Sequence, residues 1–152
     1  MKLVTGFDQD IADFVASRIP GMDSFGPCSA IGVVDRDHHI AGGVVYHDYQ
    51  PQWGNIQLSF ASDRPDWLTP SLIRGLLFYP FYQLGCERIT CLTPKRNRRA
   101  RQFLQKFGFR YEGNVRRGFG TDDCIISGLL RSEWESHRFY GRKINTQGSG
   151  SA

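Results

Sequence analysis

The sequence contains no apolar run that approaches the roughly 20 residues an α-helix needs to cross a bilayer. Residues 1–8 carry one lysine and no long hydrophobic stretch, which is unlike a secretory signal peptide. We therefore expect a cytoplasmic protein with no membrane partner. Its 152 residues, of which 40% are hydrophobic and 22% charged, are typical of one globular domain with its own core.

The sequence also lacks the residue spacing of a zinc site. Its four cysteines form no Cys-x-x-Cys pair and have no histidine at zinc-finger spacing. We expect these thiols to be reduced and mostly buried, as is usual in the cytosol. His47, Asp48 and Asp123 have the chemistry of metal ligands, but no ligand spacing connects them. No metal is therefore predicted.

Acidic residues are nearly missing from residues 88–117, which hold ten arginines and lysines and one acid, Glu112, a net charge of +9. The rest of the chain has nine basic and fourteen acidic residues, so the whole carries +4. Arginine outnumbers lysine fifteen to four, which suits bidentate phosphate recognition. Two interpretations stay open, a solvated basic face and a surface that binds a phosphorylated partner.

Apolar periodicity predicts the element order βαβββαβαββ, an α/β fold with a mixed sheet and helices on both faces. The predicted strands cover about residues 2–5, 29–34, 40–49, 55–61, 88–92, 109–115 and 124–130. Helices are predicted to begin at Asp8, at Thr69-Pro70 and at Asn97, which are favourable N-terminal residues. Pro80 predicts a kink or an early end in the second helix.

We predict one domain over residues 1–131 and a C-terminal extension over residues 132–152. The extension is predicted to start with a short helix, because Ser132-x-x-Glu135 has the pattern of a capping box. Residues 145–152 are polar and glycine-rich, which predicts disorder. A polar loop is predicted over residues 118–123, between the last two strands.

Three short motifs in the second half of the chain occur together in a characteristic order. They are Asn97-x-x-Ala100, Gly108-Phe109 and Glu112-Gly113. Within the predicted element order of residues 1–131, these motifs resemble the Gcn5-related N-acetyltransferase (GNAT) superfamily. The resemblance implies a single-domain GNAT fold, acetyl-CoA as acyl donor and direct transfer of the acyl group to an amine.

The resemblance places acetyl-CoA where the strands over 55–61 and 88–92 splay apart. The pantetheine arm is expected along the first of these strands and the pyrophosphate at the start of the second helix. The implied cofactor-binding residues are Leu58, Phe60, Arg64, Trp67, Leu68, Thr69 and Asn97. The pyrophosphate turn is nonstandard, because Trp67 and Thr69 stand where the family usually has small residues that let the backbone approach phosphate.

Two acid–base positions also depart from the family pattern. Many members carry a tyrosine four residues before the helix-ending glycine, where this chain has Leu104. A glutamate base often stands in the strand over 55–61, where this chain offers Gln57 and Ser59. Ser59 stays a catalytic candidate by its position, although its hydroxyl does not titrate near neutral pH.

His47 is the candidate general base, because histidine is the side chain that changes protonation near neutral pH. Strand alternation places His47 and Tyr49 on one face and Tyr46 and Asp48 on the other. Tyr46 or Tyr49 is expected to position the acceptor. Asp123 is expected either to attract the acceptor amine or only to form a turn.

Three functions stay open at this stage. The first is an acetyl-CoA-dependent N-acyltransferase, a monomer or dimer. The second is a phage Mom-like enzyme that modifies adenine in DNA on the same fold, for which the +9 segment would bind the nucleic-acid backbone. The third is a module that binds CoA or nucleic acid without catalysis, consistent with the missing tyrosine and glycines.

Overall fold

A computed structural model describes residues 1–141. The strands are β1 (Lys2–Val4), β2 (Cys28–Val34), β3 (Ile40–Gln50), β4 (Asn55–Ser62), β5 (Arg88–Pro94), β6 (Arg110–Phe119) and β7 (Asp122–Leu130). The helices are α1 (Asp8–Ala16), α2 (Pro70–Phe78), α3 (Arg98–Lys106) and α4 (Arg131–Glu135), with a 3₁₀ turn over Pro51–Trp53, a π-helical turn over Tyr79–Gln83 and further helical residues at 138–141. No helix within this part of the chain is long and apolar enough to cross a membrane.

The strands form one mixed sheet in the order β1-β2-β3-β4-β5-β7-β6. Neighbouring strands are antiparallel except β4 and β5, which are parallel. One face of the sheet packs against α1, and the other packs against α2, α3 and α4. The predicted single-domain α/β fold with helices on both faces is therefore confirmed.

The parallel pairing of β4 and β5 is unusually short. It covers Asn55–Gln57 against Arg88–Thr90 and then stops. Past that point β4 stays paired with β3 as far as Ser62, and β5 stays paired with β7 as far as Pro94. Because each strand follows a different neighbour, the two separate, and the edge of β4 that faces β5 is open from Leu58 onward.

The starts of α2 and α3 are as predicted. Thr69 Oγ1 accepts a hydrogen bond from Leu72 N–H at 3.3 Å, and Asn97 Oδ1 accepts one from Ala100 N–H at 3.1 Å. The early end of α2 is also confirmed, because the chain changes from α-helical to π-helical geometry at the turn that contains Pro80. Proline has no N–H to continue the α-helical hydrogen bonds.

Two predictions about the ends of elements are wrong. Asp8 does not cap α1 but is its first residue, and Asp8 Oδ1 accepts a hydrogen bond from Ala30 N–H at 3.1 Å, which ties the helix to β2. The loop predicted over residues 118–123 is shorter, because β6 continues to Phe119 and β7 starts at Asp122.

The chain beyond residue 131 packs on the same core as the residues before it. Trp134 and Phe139 are 1% and 8% exposed and belong to the core under α2 and α3. The capping box predicted from Ser132 is wrong, because α4 starts earlier and Glu133 Oε1 accepts from Leu130 N–H at 3.0 Å. The predicted disorder of residues 145–152 falls outside the described residues.

Gly42 provides a test of the packing beside the β4 edge. A Cβ atom on Gly42 would overlap the indole of Trp67, which is stacked on Phe60 and Phe103. We expect Gly42→Ala to lower the free energy of unfolding by about 1–3 kcal/mol in urea denaturation, because overpacking displaces the ring. The control is Gly113→Ala, whose Cβ would make only an ordinary contact. Equal losses in both variants would contradict this packing.

Candidate functional site

A cavity of about 490 Å³ opens where β4 and β5 separate. Phe25, His47 and Ser59 line it on the α1 face of the sheet. Phe60 and Phe103 line it on the α3 face. The cavity therefore crosses the sheet through the gap in strand pairing, and its volume is in the usual range of small-molecule sites.

Three polar side chains form a continuous chain of hydrogen bonds on the wall of this cavity. Ser59 Oγ lies 2.8 Å from His47 Nε2, and His47 Nδ1 lies 2.5 Å from Asp48 Oδ2. A carboxylate only accepts hydrogen bonds, so the proton of the neutral imidazole belongs on Nδ1. Nε2 then accepts from the serine hydroxyl, and the basic nitrogen of His47 is directed at Ser59.

The strand register explains this arrangement. His47 pairs with Gln57 on β4, so Ser59 is its diagonal neighbour on the same face. The pairing slips directly after His47, and Asp48 has a positive φ of 52°. This irregularity brings the Asp48 carboxylate to His47, although regular alternation places the two on opposite faces. The imidazole is 8% exposed and its centroid is 5.0 Å from that of Phe25.

Few other side chains on the described cavity wall are of a type that can act as an acid or base near neutral pH. Arg18 is held by Asp63 through two hydrogen bonds of 2.7 and 2.8 Å, which keep the pKa of that carboxyl below its usual range. Burial raises the pKa of the Cys91 thiol far above its usual range. Arg99 has no acidic partner within residues 1–141. The described part of the wall contains no glutamate and no tyrosine.

Comparison with known proteins identifies this architecture. No protein-family model and no curated protein sequence matches the chain. A chimera built on the spermidine N-acetyltransferase SpeG from Vibrio cholerae is 16% identical, with a TM-score of 0.73 over 90% of this chain and 100% of the chimera. The ribosomal-protein-S5-alanine acetyltransferase from Vibrio fischeri is 19% identical, with a TM-score of 0.62 over 70% of this chain and 63% of that protein.

The chain has the GNAT fold. This chain resembles the two enzymes in architecture. The resemblance gives no support to a Mom-like, DNA-modifying subtype.

In this chain, several of the predicted cofactor residues line the cavity that crosses the sheet. They are Leu58, Phe60, Trp67 and Asn97. Trp67 is 3% exposed and stacks on Phe60 and Phe103, with centroids 6.3 and 5.8 Å apart. The large residue in the nonstandard turn thus forms an apolar wall of the cavity.

The other predicted cofactor residues do not line this cavity. They are Arg64, Leu68 and Thr69. The Arg64 guanidinium donates to Asp66 at 3.2 Å and to Asp35 at 3.4 Å. Leu68 packs against the core, and the Thr69 side chain caps α2.

Two predicted catalytic residues also lie away from the cavity. Tyr46 is 1% exposed on the opposite face of β3, its hydroxyl donates to the Leu76 carbonyl at 2.6 Å, and burial raises its pKa well above the usual value. Asp123 accepts from Arg117 N–H at 2.8 Å and from Asn114 Nδ2 at 3.1 Å, which lowers its pKa. In this structure Tyr46 is a core residue and Asp123 holds the β6–β7 hairpin.

The cavity-wall residues that the sequence prediction does not assign to the site include Asp48, Phe25 and Arg99. Asp48 is assigned to the wrong face by strand alternation, and Phe25 lies in a segment without periodicity. Arg99 has a usable signal, because it lies in the first turn of α3, two residues after Asn97. The signal is a basic residue in the first turn of a helix, where the N-terminus already favours anions.

A second, polar groove of about 650 Å³ lies between α3 and the β6–β7 hairpin. Arg98, Arg101, Arg110 and Tyr111 are on its walls, and no acidic residue of the described chain is. Arg101 Nε is buried and makes no hydrogen bond within residues 1–141. Arg110 is paired with Glu133 at 2.8 Å. Part of the +9 segment is therefore concentrated along one groove.

Replacing the two tyrosines of β3 tests the placement of their hydroxyls. Tyr46→Phe removes a buried hydrogen bond, so we expect the free energy of unfolding to fall by about 0.5–1.5 kcal/mol in chemical denaturation. Tyr49→Phe is the control, because that hydroxyl donates to the Leu84 carbonyl at 3.1 Å in an exposed position and its loss should change little. A larger loss for Tyr49→Phe than for Tyr46→Phe would contradict the placement.

Proposed function

We propose that this protein transfers an acetyl group from acetyl-CoA to an amine. One observation carries the proposal, namely a cavity that crosses the sheet at the open edge of β4 and has a histidine directed into it on one side. A GNAT fold with this gap supports a cofactor on the α3 side and an acceptor on the α1 side. The named substrates of the two solved enzymes, spermidine and a ribosomal-protein alanine, make amines the first acceptors to test.

The open edge of β4 from Leu58 onward suits the pantetheine arm, which can pair with it as an added strand. The start of α2 is a weaker phosphate site than most helix starts. Pro70 has no N–H and the N–H of Leu72 is bonded to the helix cap, which leaves Ser71 N–H without a partner among the described residues of that turn. Arg99, on the cavity wall, supplies positive charge for the phosphates.

Asp48 gives the acceptor side a negative charge, which attracts a protonated amine. The amine must lose a proton to become a nucleophile, and His47 is the base on the cavity wall that takes it. In this proposal, backbone N–H groups on the open edge of β4 polarise the thioester carbonyl. Holding each reactant against His47 in one cavity also contributes to the rate enhancement.

Calorimetry with acetyl-CoA, followed by acetylation of spermidine and of a peptide with N-terminal alanine, tests this function. We expect binding, and we expect His47→Gln to lower kcat/KM at least about 100-fold while the Kd for acetyl-CoA stays unchanged. The control is His39→Gln, in the exposed β2–β3 hairpin. Absence of acetyl-CoA binding would refute the proposal, and binding without transfer to any amine would favour a binding module.

A nucleic-acid acceptor is a second candidate, which the arginine groove favours. Arg101 Nε is buried and has no hydrogen-bond partner within residues 1–141, so a phosphate oxygen could accept from it. Tyr111 at the groove is 66% exposed, which leaves its ring accessible to a base. A nucleic acid held there would present its bases near α3. Under this second candidate function, the groove binds the nucleic acid and acetyl transfer still takes place in the cavity between β4 and β5.

Salt-dependent binding of a labelled single-stranded oligonucleotide tests this second candidate. Neutralising two phosphate contacts in Arg98→Gln/Arg101→Gln should flatten the slope of log affinity against log salt by about 1.4, since each contact contributes about 0.7. The control is Arg36→Gln in the β2–β3 hairpin, which removes one exposed charge away from the groove. Equal slopes for the double variant and the unmodified protein would exclude the groove.

A further inference from the structure

Few side chains on the described wall of the cavity can act as an acid or a base near neutral pH. Acetyl transfer needs a base for the attacking group and an acid for the leaving thiolate of CoA. Residue 104, where many similar enzymes have a tyrosine, is a leucine that is 3% exposed. On the described cavity wall, His47 is the side chain whose type changes protonation near neutral pH, and Cys91 stays protonated because burial raises its pKa. One imidazole that serves both steps would make a second acid–base residue unnecessary.

His47 makes the two hydrogen bonds that a histidine makes when it activates a serine nucleophile. Ser59 Oγ donates to Nε2 across 2.8 Å, and Asp48 Oδ2 accepts from Nδ1 across 2.5 Å. This sequence of nucleophile, base and orienting carboxylate is the arrangement that makes a serine hydroxyl nucleophilic. All three side chains line the same cavity.

The position of Ser59 on β4 brings this hydroxyl to the gap in the sheet. The pairing with β5 ends at Gln57, so Ser59 is the second residue of the open edge. The backbone of its neighbours Leu58 and Phe60 is the edge on which the pantetheine arm is proposed to lie. A thioester at the end of that arm would arrive at the level of the Ser59 side chain.

We propose that the acetyl group passes through Ser59, so that the reaction proceeds by double displacement through an acetyl-serine ester. This inference rests on the proposed acetyl-CoA site. Ser59 Oγ attacks the thioester carbonyl carbon while His47 Nε2 takes the hydroxyl proton. The C–S bond then breaks, and the imidazolium returns that proton to the departing thiolate, which leaves as CoA with a free thiol. The base of the first half-step is thus the acid of the second.

The second half of the reaction mirrors the first. An amine attacks the ester carbonyl, His47 removes its proton, and the proton goes to Ser59 Oγ as the C–O bond breaks. Water in place of the amine gives acetate and regenerates the serine. The enzyme therefore also has a slow acetyl-CoA hydrolase activity when no amine is present.

The exposure of Asp48 sets the size of its contribution. Its side chain is 64% exposed, so water competes for the carboxylate and weakens its hold on the imidazolium compared with a buried aspartate. We expect Asp48→Asn to lower the rate of CoA release about tenfold, much less than the roughly 10⁴-fold loss typical of a buried triad aspartate. Asp48 is a positioning residue here, and its variant should change kcat while leaving the KM for acetyl-CoA unchanged.

The experiment is to mix the protein with acetyl-CoA alone and to follow free CoA thiol together with the intact mass of acid-quenched protein. We expect CoA release without an acceptor, a mass increase of one acetyl group and its assignment to Ser59 by peptide mapping. Ser59→Ala and His47→Gln should both abolish the adduct and the release, with folding checked by circular dichroism. The control is Ser132→Ala, which changes an exposed serine on α4.

The outcomes separate this inference from the function on which it rests. Acetyl-CoA binding with no adduct and no acceptor-independent CoA release overturns the acetyl-serine and leaves direct transfer. Intersecting rather than parallel double-reciprocal plots with an amine substrate, or full amine acetylation by Ser59→Ala, overturns it as well. Absence of acetyl-CoA binding by calorimetry ends both proposals together.

Discussion

The short pairing between β4 and β5 is the constraint on which the rest of the molecule depends. Each strand leaves the other after Gln57 and Thr90 because each keeps a complete antiparallel ladder on its other side. The sheet therefore has no hydrogen bonds between β4 and β5 beyond these residues, and the cavity there extends from the α1 face to the α3 face. Trp67, stacked on Phe60 and Phe103, forms an apolar wall of that cavity.

The chemistry of the cavity depends on how few side chains on its described wall can act as an acid or a base. His47 is nearly buried and is fixed by Ser59 on one nitrogen and Asp48 on the other, so the tautomer and the direction of its basic nitrogen are set before any ligand arrives. A glutamate base or a tyrosine acid does not occur on the described wall. A site with one histidine on its described wall favours a route in which that side chain takes a proton and returns it, which is the physical basis of the acetyl-serine proposal.

Local signals in the sequence predict the features that depend on neighbouring residues. Thr69 and Asn97 cap their helices, and Pro80 ends α2, because each effect acts within one helical turn. The site depends on register between strands, which no local signal reports. Asp48 reaches His47 only because the β3–β4 pairing slips after residue 47, and regular alternation predicts the opposite face. The fold was therefore accessible from sequence, while the contacts of the site required the structure.

Amide hydrogen exchange with and without CoA tests the central claim most directly, because it reports on the backbone edge that the claim invokes. If CoA occupies the gap, exchange should slow in β4 over residues 58–62 and at the N-terminus of α2, with smaller changes elsewhere. The groove between α3 and the β6–β7 hairpin should remain unchanged. Protection confined to that groove, or no protection of the β4 edge at saturating CoA, would contradict the account.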